Sequence, residues 1–188
     1  MLQNQQISRR LTVPNCITFV RIIGTLSLMG LEPFGTVFYV MYTLCGITDV
    51  LDGWIARATK KTTEFGAKLD SVADLLFYTV SILKIFPFLW KTLPKKIWFL
   101  LAVIIFVRIC SYGTAAMKYH RFASQHTYLN KMSGFAVFLL PYMIVGAAAV
   151  VYSYMVCGIA LVAAVEELLI HITAKEYRSD RRTILQMR

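Results

Sequence analysis

Four of the chain's ten carboxylates, Asp49, Asp52, Asp70 and Asp74, fall within residues 49–74, beside or inside apolar segments. Read as a helix, Thr48–Arg57 places Asp49, then Asp52 and Gly53, then Ala56 and Arg57 at three- and four-residue spacing, which is one face. Gly66, Asp70 and Asp74 follow at i, i+4 and i+8, again one face. The segment between carries Thr59, Thr62 and Thr63, residues suited to a short reversal. Two antiparallel helices would then gather all four carboxylates. Single aspartates at helix ends are ordinarily just solvated, but four together repel one another and are costly near a low-dielectric region. Hard divalent cations relieve that repulsion, and an oxygen-only donor set favours Mg²⁺, Mn²⁺ or Ca²⁺ over zinc. Two such ions suit phosphate chemistry: they clamp a pyrophosphate, neutralise a leaving group and leave one carboxylate able to take a proton. Gly53, without a Cβ, admits a ligand close to the helix backbone, and Arg57 one turn on can fork onto a phosphate or a base.

The elements that must position these groups are those of a membrane protein. Of 188 residues 57% are hydrophobic and 16% charged, and the mean hydropathy is +0.60. That composition excludes a disordered tail, a disulfide-rich secreted module and a conventional water-soluble enzyme. Cys16, Cys45, Cys110 and Cys157 lie far apart in apolar stretches, so neither a disulfide nor a soft-metal site is expected. A helix crosses the hydrocarbon core with about 20 mostly apolar residues, and six candidates occur. They are Asn15–Leu31, opened by Pro14-Asn15; Phe34–Ile47, continuing as a helix past the membrane surface to Ala58; Leu69–Trp90; Ile97–Met117; and two from Gly134 to Ile172, turning near Tyr152–Tyr154. Arg21 interrupts the first apolar run and no small-x-small site follows it, so a cleaved signal peptide is not expected.

The net charge of +10 is read as a positive-inside bias and attraction to anionic headgroups, with no nucleic-acid partner. With both termini on one side, that side holds fourteen Lys/Arg and the other three, Lys91, Lys95 and Lys96. Both termini and the aspartates are therefore expected in the cytoplasm, in an all-α polytopic fold of six transmembrane helices. One membrane domain spans 1–188, with residues 1–14 as a cytoplasmic N-terminal segment and residues 173–188 as a basic tail on anionic lipid.

Asp49-x2-Asp52-Gly53-x2-Ala56-Arg57-x8-Gly66-x3-Asp70-x3-Asp74 resembles the complete signature of the CDP-alcohol phosphatidyltransferases, with no departure at a fixed position. Val13-Pro14-Asn15-x2-Thr18-x2-Arg21 is similar to the start of the family's bacterial phosphatidylglycerophosphate synthases and of its phosphatidylinositol synthases. The resemblance implies that Asp49, Asp52, Asp70 and Asp74 hold two Mg²⁺ or Mn²⁺ ions that bind the pyrophosphate of a CDP-linked lipid, usually CDP-diacylglycerol. Gly53, Ala56, Arg57 and Gly66 would serve the CDP moiety. Asp74 would be the general base for an acceptor hydroxyl that attacks the lipid's phosphorus and expels CMP. Spacing by itself does not say which carboxylate is the base. The resemblance also implies a homodimer, in a bacterial-type cytoplasmic membrane with the active site facing the cytoplasm.

The acceptor is open among glycerol 3-phosphate, inositol, inositol phosphate and serine. Charge is the local clue. Arg108 sits deep in the fourth span, where an unpaired guanidinium is costly and a functional candidate, and Lys118, His120, Arg121, His126 and Lys131 follow. A phosphorylated acceptor needs several such donors, which favours glycerol 3-phosphate with Arg108, Arg121 and Lys131. Arg21 either snorkels to headgroups or edges the acceptor pocket. His171 is expected at the interface. Glu166 and Glu167 either pair with a basic residue of a neighbouring helix or mark an earlier end of the last span. Gly146-Ala147-Ala148-Ala149 and Gly158 permit close helix contact within or between subunits. Two other classes compete: a small cation transporter and a non-catalytic scaffold. Transport sites sit near the midplane on broken helices, and a scaffold gives no reason to cluster carboxylates.

Overall fold

The computed structural model describes residues 13–58, 64–119 and 127–174, and among them every regular element is helical. The candidate residues Arg121, His120 and His126, the threonine reversal and the basic tail lie outside this set, as do the side chains of Ala56 and Arg57. Two compact units divide the chain at Phe88 and Leu89.

In the first unit, α1 (Val13–Ser27) ends in a 3₁₀ turn (Leu28–Gly30) and is followed by α2 (Thr36–Ala58). α3 (Glu64–Thr92) belongs to this unit as far as Phe88. α1 is inverted relative to a helix of a soluble protein. Asn15, Thr18, Arg21, Thr25 and Leu28, at three- and four-residue steps, are all buried, while Phe19, Val20, Ile23 and Leu26 are exposed. A polar stripe turned inward beneath an apolar outer surface is the arrangement that a lipid solvent selects.

Gly24 allows α1 to approach α2: a Cβ there would lie 3.1 Å from Cys45 Sγ and 3.5 Å from Met41 Cε. Gly146 and Gly158 have nothing within 4 Å of that position, so close contact within the described chain is made at Gly24 and not at those two. Aromatic rings join α2 to α3. Phe38 stacks on Tyr42 and Tyr42 on Phe77, with centroids 5.9 and 5.0 Å apart. Phe34, at φ 65° in the bend before α2, meets Phe88 at 4.8 Å. Rising numbers on α2 thus face falling numbers on α3, the antiparallel pairing the aspartate spacing requires.

The second unit contains α4 (Lys95–Tyr119), α5 (Tyr128–Met143) and α6 (Ala149–Thr173). α4 buries Ile97, Ile104, Ser111 and Ala115 along one stripe. α6 buries Ala149, Ser153, Val156, Cys157, Ala163, Ala164, Glu167, Ile170 and His171, a mostly small-residue seam that permits close helix approach. Thr127 caps α5 by accepting from the Asn130 amide at 3.2 Å.

The break between the last two helices falls at residues 144–148 and not near Tyr152–Tyr154. Pro141 lacks the N–H that would extend the helical ladder, and Gly146 opens the bend a turn later. Tyr152 lies inside α6, where its hydroxyl donates to the Ala136 carbonyl of α5 at 2.8 Å. α3, α4 and α6 contain helical stretches long and apolar enough to cross a membrane, Lys68–Thr92, Lys95–Tyr119 and Ala149–Thr173; α1 is apolar but shorter.

Candidate active site

The first unit brings the four signature aspartates together around one guanidinium. Arg21, on the buried stripe of α1, is 2% exposed. Its Nη1 donates to Asp49 Oδ1 and, at 3.1 Å, to Asp74 Oδ1. Its Nη2 donates to Asp70 Oδ1 at 2.5 Å and lies 3.6 Å from Asp52 Oδ2. Asp49 and Asp52 come from the last turns of α2, Asp70 and Asp74 from the first turns of α3.

The four carboxylates are not equivalent. Asp52 is 3% exposed and accepts from the Thr18 hydroxyl at 2.9 Å. Burial pushes its carboxyl above the ordinary value, while Thr18 and Arg21 pull the other way. Asp49, Asp70 and Asp74 are half-exposed, and one oxygen from each lies within 4.8 Å of the other two. Asp52 thus forms the closed wall of the cluster and the other three its open mouth. Gly53 and Gly66 on the same helices are partly exposed.

One guanidinium against four carboxylates leaves a formal excess of three negative charges in the cluster. The donors are all oxygen. Both features fit hard divalent cations and argue against zinc or a soft metal.

Arg21 does not snorkel to the headgroups: it is buried, and its guanidinium contacts the aspartates. The signal was present in the sequence as the Asn15, Thr18, Arg21 stripe on an apolar helix, the same residues that carry the resemblance at the start of the chain.

In the second unit, Arg108 Nη1 donates to Glu167 Oε2 at 3.1 Å and its Nη2 to Asn130 Oδ1 at 3.0 Å. Asn130 Nδ2 in turn donates to Glu167 Oε2 at 3.2 Å. Glu167 is fully buried, so of the two readings of the glutamate pair the structure selects pairing with a neighbouring helix. His171 is fully buried, with Nδ1 3.0 Å from Ser111 Oγ. Lys118 donates to the His171 and Ile172 carbonyls at 3.1 and 2.7 Å, a cation on the C-terminal end of α6. Lys131 is exposed on α5.

Comparison with known proteins agrees with the geometry. The chain is 34% identical over 104 residues to CDP-diacylglycerol–glycerol-3-phosphate 3-phosphatidyltransferase of Wigglesworthia glossinidia brevipalpis, covering 51% of this chain and 57% of that one. It is 38% identical over 77 residues to the enzyme of the same name from Haemophilus influenzae, covering 39% and 40%. It is 33% identical over 75 residues to CDP-diacylglycerol–serine O-phosphatidyltransferase of Methanocaldococcus jannaschii, covering 40% and 35%. The matched segments thus span about half or less of these relatives' lengths. No solved structure matches the chain. The family description CDP-alcohol phosphatidyltransferase matches residues 11–168, taking in α1 through most of α6 and all four aspartates, and the chain belongs to that family.

Proposed function

We propose that the protein transfers a phosphatidyl group from CDP-diacylglycerol to the hydroxyl of glycerol 3-phosphate, releasing CMP. The observation that carries this reading is the convergence of Asp49, Asp52, Asp70 and Asp74 on one point between α2 and α3. Membership of the family and the names of its glycerol-3-phosphate relatives support it.

In this reading the four aspartates hold two Mg²⁺ or Mn²⁺ ions, which when bound neutralise the pyrophosphate and the leaving CMP. The chain's own residues do the rest. Gly53, Ala56, Arg57 and Gly66 line the CDP site, the glycines admitting the nucleotide close to the backbone. Asp74, one of the three open carboxylates, takes the proton of the acceptor hydroxyl as its oxygen attacks the lipid phosphorus. Asp52, closed off by Thr18 and Arg21, is less suited to that exchange. Arg108, Arg121 and Lys131 are assigned to the acceptor phosphate.

The same reading includes a homodimer of six-span subunits in the cytoplasmic membrane, with both termini and the aspartates on the cytoplasmic side. Reporter fusions at either terminus that read out as periplasmic would remove that topology.

The relative from Methanocaldococcus jannaschii favours serine as the competing acceptor within the same chemistry. Purified protein, labelled CDP-diacylglycerol and Mg²⁺ or Mn²⁺, offered glycerol 3-phosphate, inositol, inositol phosphate and serine in parallel, decides the question. Rapid CMP release with glycerol 3-phosphate alone is expected. Preference for serine removes the acceptor while leaving the transferase chemistry, and no CMP release with any acceptor removes both.

A further inference from the structure

We propose that Arg21 is a positioning residue that competes with divalent ions for the aspartate oxygens and holds the four carboxylates in register in their absence. The proposal rests on the reading of the aspartates as ion ligands.

Three observations carry it. Arg21 contacts all four carboxylates, drawn from two separate helices, with two guanidinium nitrogens. A guanidinium and a divalent ion seek the same oxygen lone pairs, so full contact by one weakens contact by the other. Arg21 is also 2% exposed, and its Nε, buried, has no hydrogen-bond partner among the described residues. A buried N–H left unpaired is a cost, so the guanidinium fits this nest less completely than its four ion pairs suggest. Finally, the side chain arises from α1, which carries none of the four carboxylates. Gly24, one turn along, holds α1 against α2 and fixes where the guanidinium arrives.

The physical logic is electrostatic. Without a cation, carboxylates from α2 and α3 repel across the cluster and splay apart. A tethered cation of unit charge offsets part of that repulsion, which keeps the cluster assembled while leaving a divalent ion more strongly attracted than the guanidinium. Arg21 thereby lowers apparent ion affinity and raises the stability of the ion-free protein, two effects of opposite direction from one side chain. A residue that merely filled space would change stability by the same amount with and without ions.

The test uses the full chain in detergent micelles, with Mn²⁺ binding followed by electron paramagnetic resonance and unfolding followed thermally. Relative to wild type, Arg21→Gln is expected to bind Mn²⁺ at least tenfold more tightly. Its ion-free melting temperature should fall, and the gap should close at saturating Mn²⁺. Arg21→Lys, which keeps one charge but not the fork, is expected to lie between the two and serves if the glutamine variant does not fold. Mn²⁺ binding that is unchanged or weaker in the variants, with wild type binding normally, overturns the role of Arg21 alone. No Mn²⁺ binding by wild type or variants overturns the ion-site reading and this proposal with it.

Discussion

Arg108 of α4 and Glu167 of α6 form an ion pair at 3.1 Å, 59 positions apart in the chain, with the carboxylate fully buried. Asn130 of α5 contacts both partners, so three helices share one polar knot. A buried pair of this kind gains little over an apolar pair of the same shape, but removing one partner leaves a stranded charge.

Glu167→Ala is therefore expected to destabilise the folded protein by about 2–4 kcal/mol, the lower end reflecting partial exposure of Arg108. Glu167→Gln, which can still accept from Arg108, should cost roughly half as much. Replacing both partners, Arg108→Met with Glu167→Leu, should recover most of the stability. Thermal unfolding of the three variants checks the ordering.

The proposed function also assigns Arg108 to the acceptor phosphate. Two of Arg108's nitrogens are already engaged, by Glu167 and Asn130, which fixes the plane of the guanidinium. Under the proposed assignment, Arg108→Ala raises the KM for glycerol 3-phosphate by about tenfold to a hundredfold, the loss of one charge-assisted contact. The KM for CDP-diacylglycerol should stay within about twofold. An unchanged acceptor KM excludes Arg108 from that pocket and leaves it a purely structural role.

The cluster's location was legible in the sequence because helical spacing alone puts Asp49 with Asp52 and Asp70 with Asp74, and the antiparallel return does the rest. Helix bounds were legible for the same reason: apolar length and start signals mark α1 through α4 closely. The turn before α6 was not: it is expected near Tyr152–Tyr154, while the true break depends on Pro141 and Gly146, whose effects a uniformly apolar stretch conceals. The partners of Arg21 and Glu167 were also hidden. Each contact joins residues far apart in the chain, and an ionisable group in an apolar helix announces that it needs a partner without saying which.

Gly24 provides a test of how the cluster is positioned. A leucine there must displace Cys45 or Met41, since even a Cβ would stand 3.1 Å from Cys45 Sγ. Overpacking of a close helix contact costs about 1–3 kcal/mol. Because Thr18 and Arg21 ride on the same helix, Gly24→Leu should also lower CMP release by more than its loss of stability explains. Turnover measured well below the melting temperature separates the two effects. Full activity in a destabilised variant would show that the placement of α1 does not matter to the site.

Chelation is the simplest measure of ion dependence. Excess EDTA is expected to abolish CMP release, and Mg²⁺ or Mn²⁺ added back should restore it, whereas Zn²⁺ should not, because the cluster offers oxygen ligands alone. Turnover that persists in EDTA would mean the four carboxylates act without ions.

The assignment of the base rests on Asp74 being open and facing the same centre as Asp49 and Asp70. Asp74→Asn removes the proton acceptor while keeping the side chain's shape and one of its oxygens. Loss of a general base costs about 10²–10⁴ in rate, and loss of a ligand adds to it, so CMP release should fall by at least a hundredfold. CDP-diacylglycerol binding, held also by the CDP-site residues, should weaken by less than about tenfold. Asp52→Asn makes the contrast. Its carboxylate is closed off by Thr18, so its replacement should weaken ion and donor binding more than it slows turnover at saturation. If Asp74→Asn instead lost donor binding and kept its turnover, while Asp52→Asn lost turnover with binding intact, the two roles would have to be exchanged.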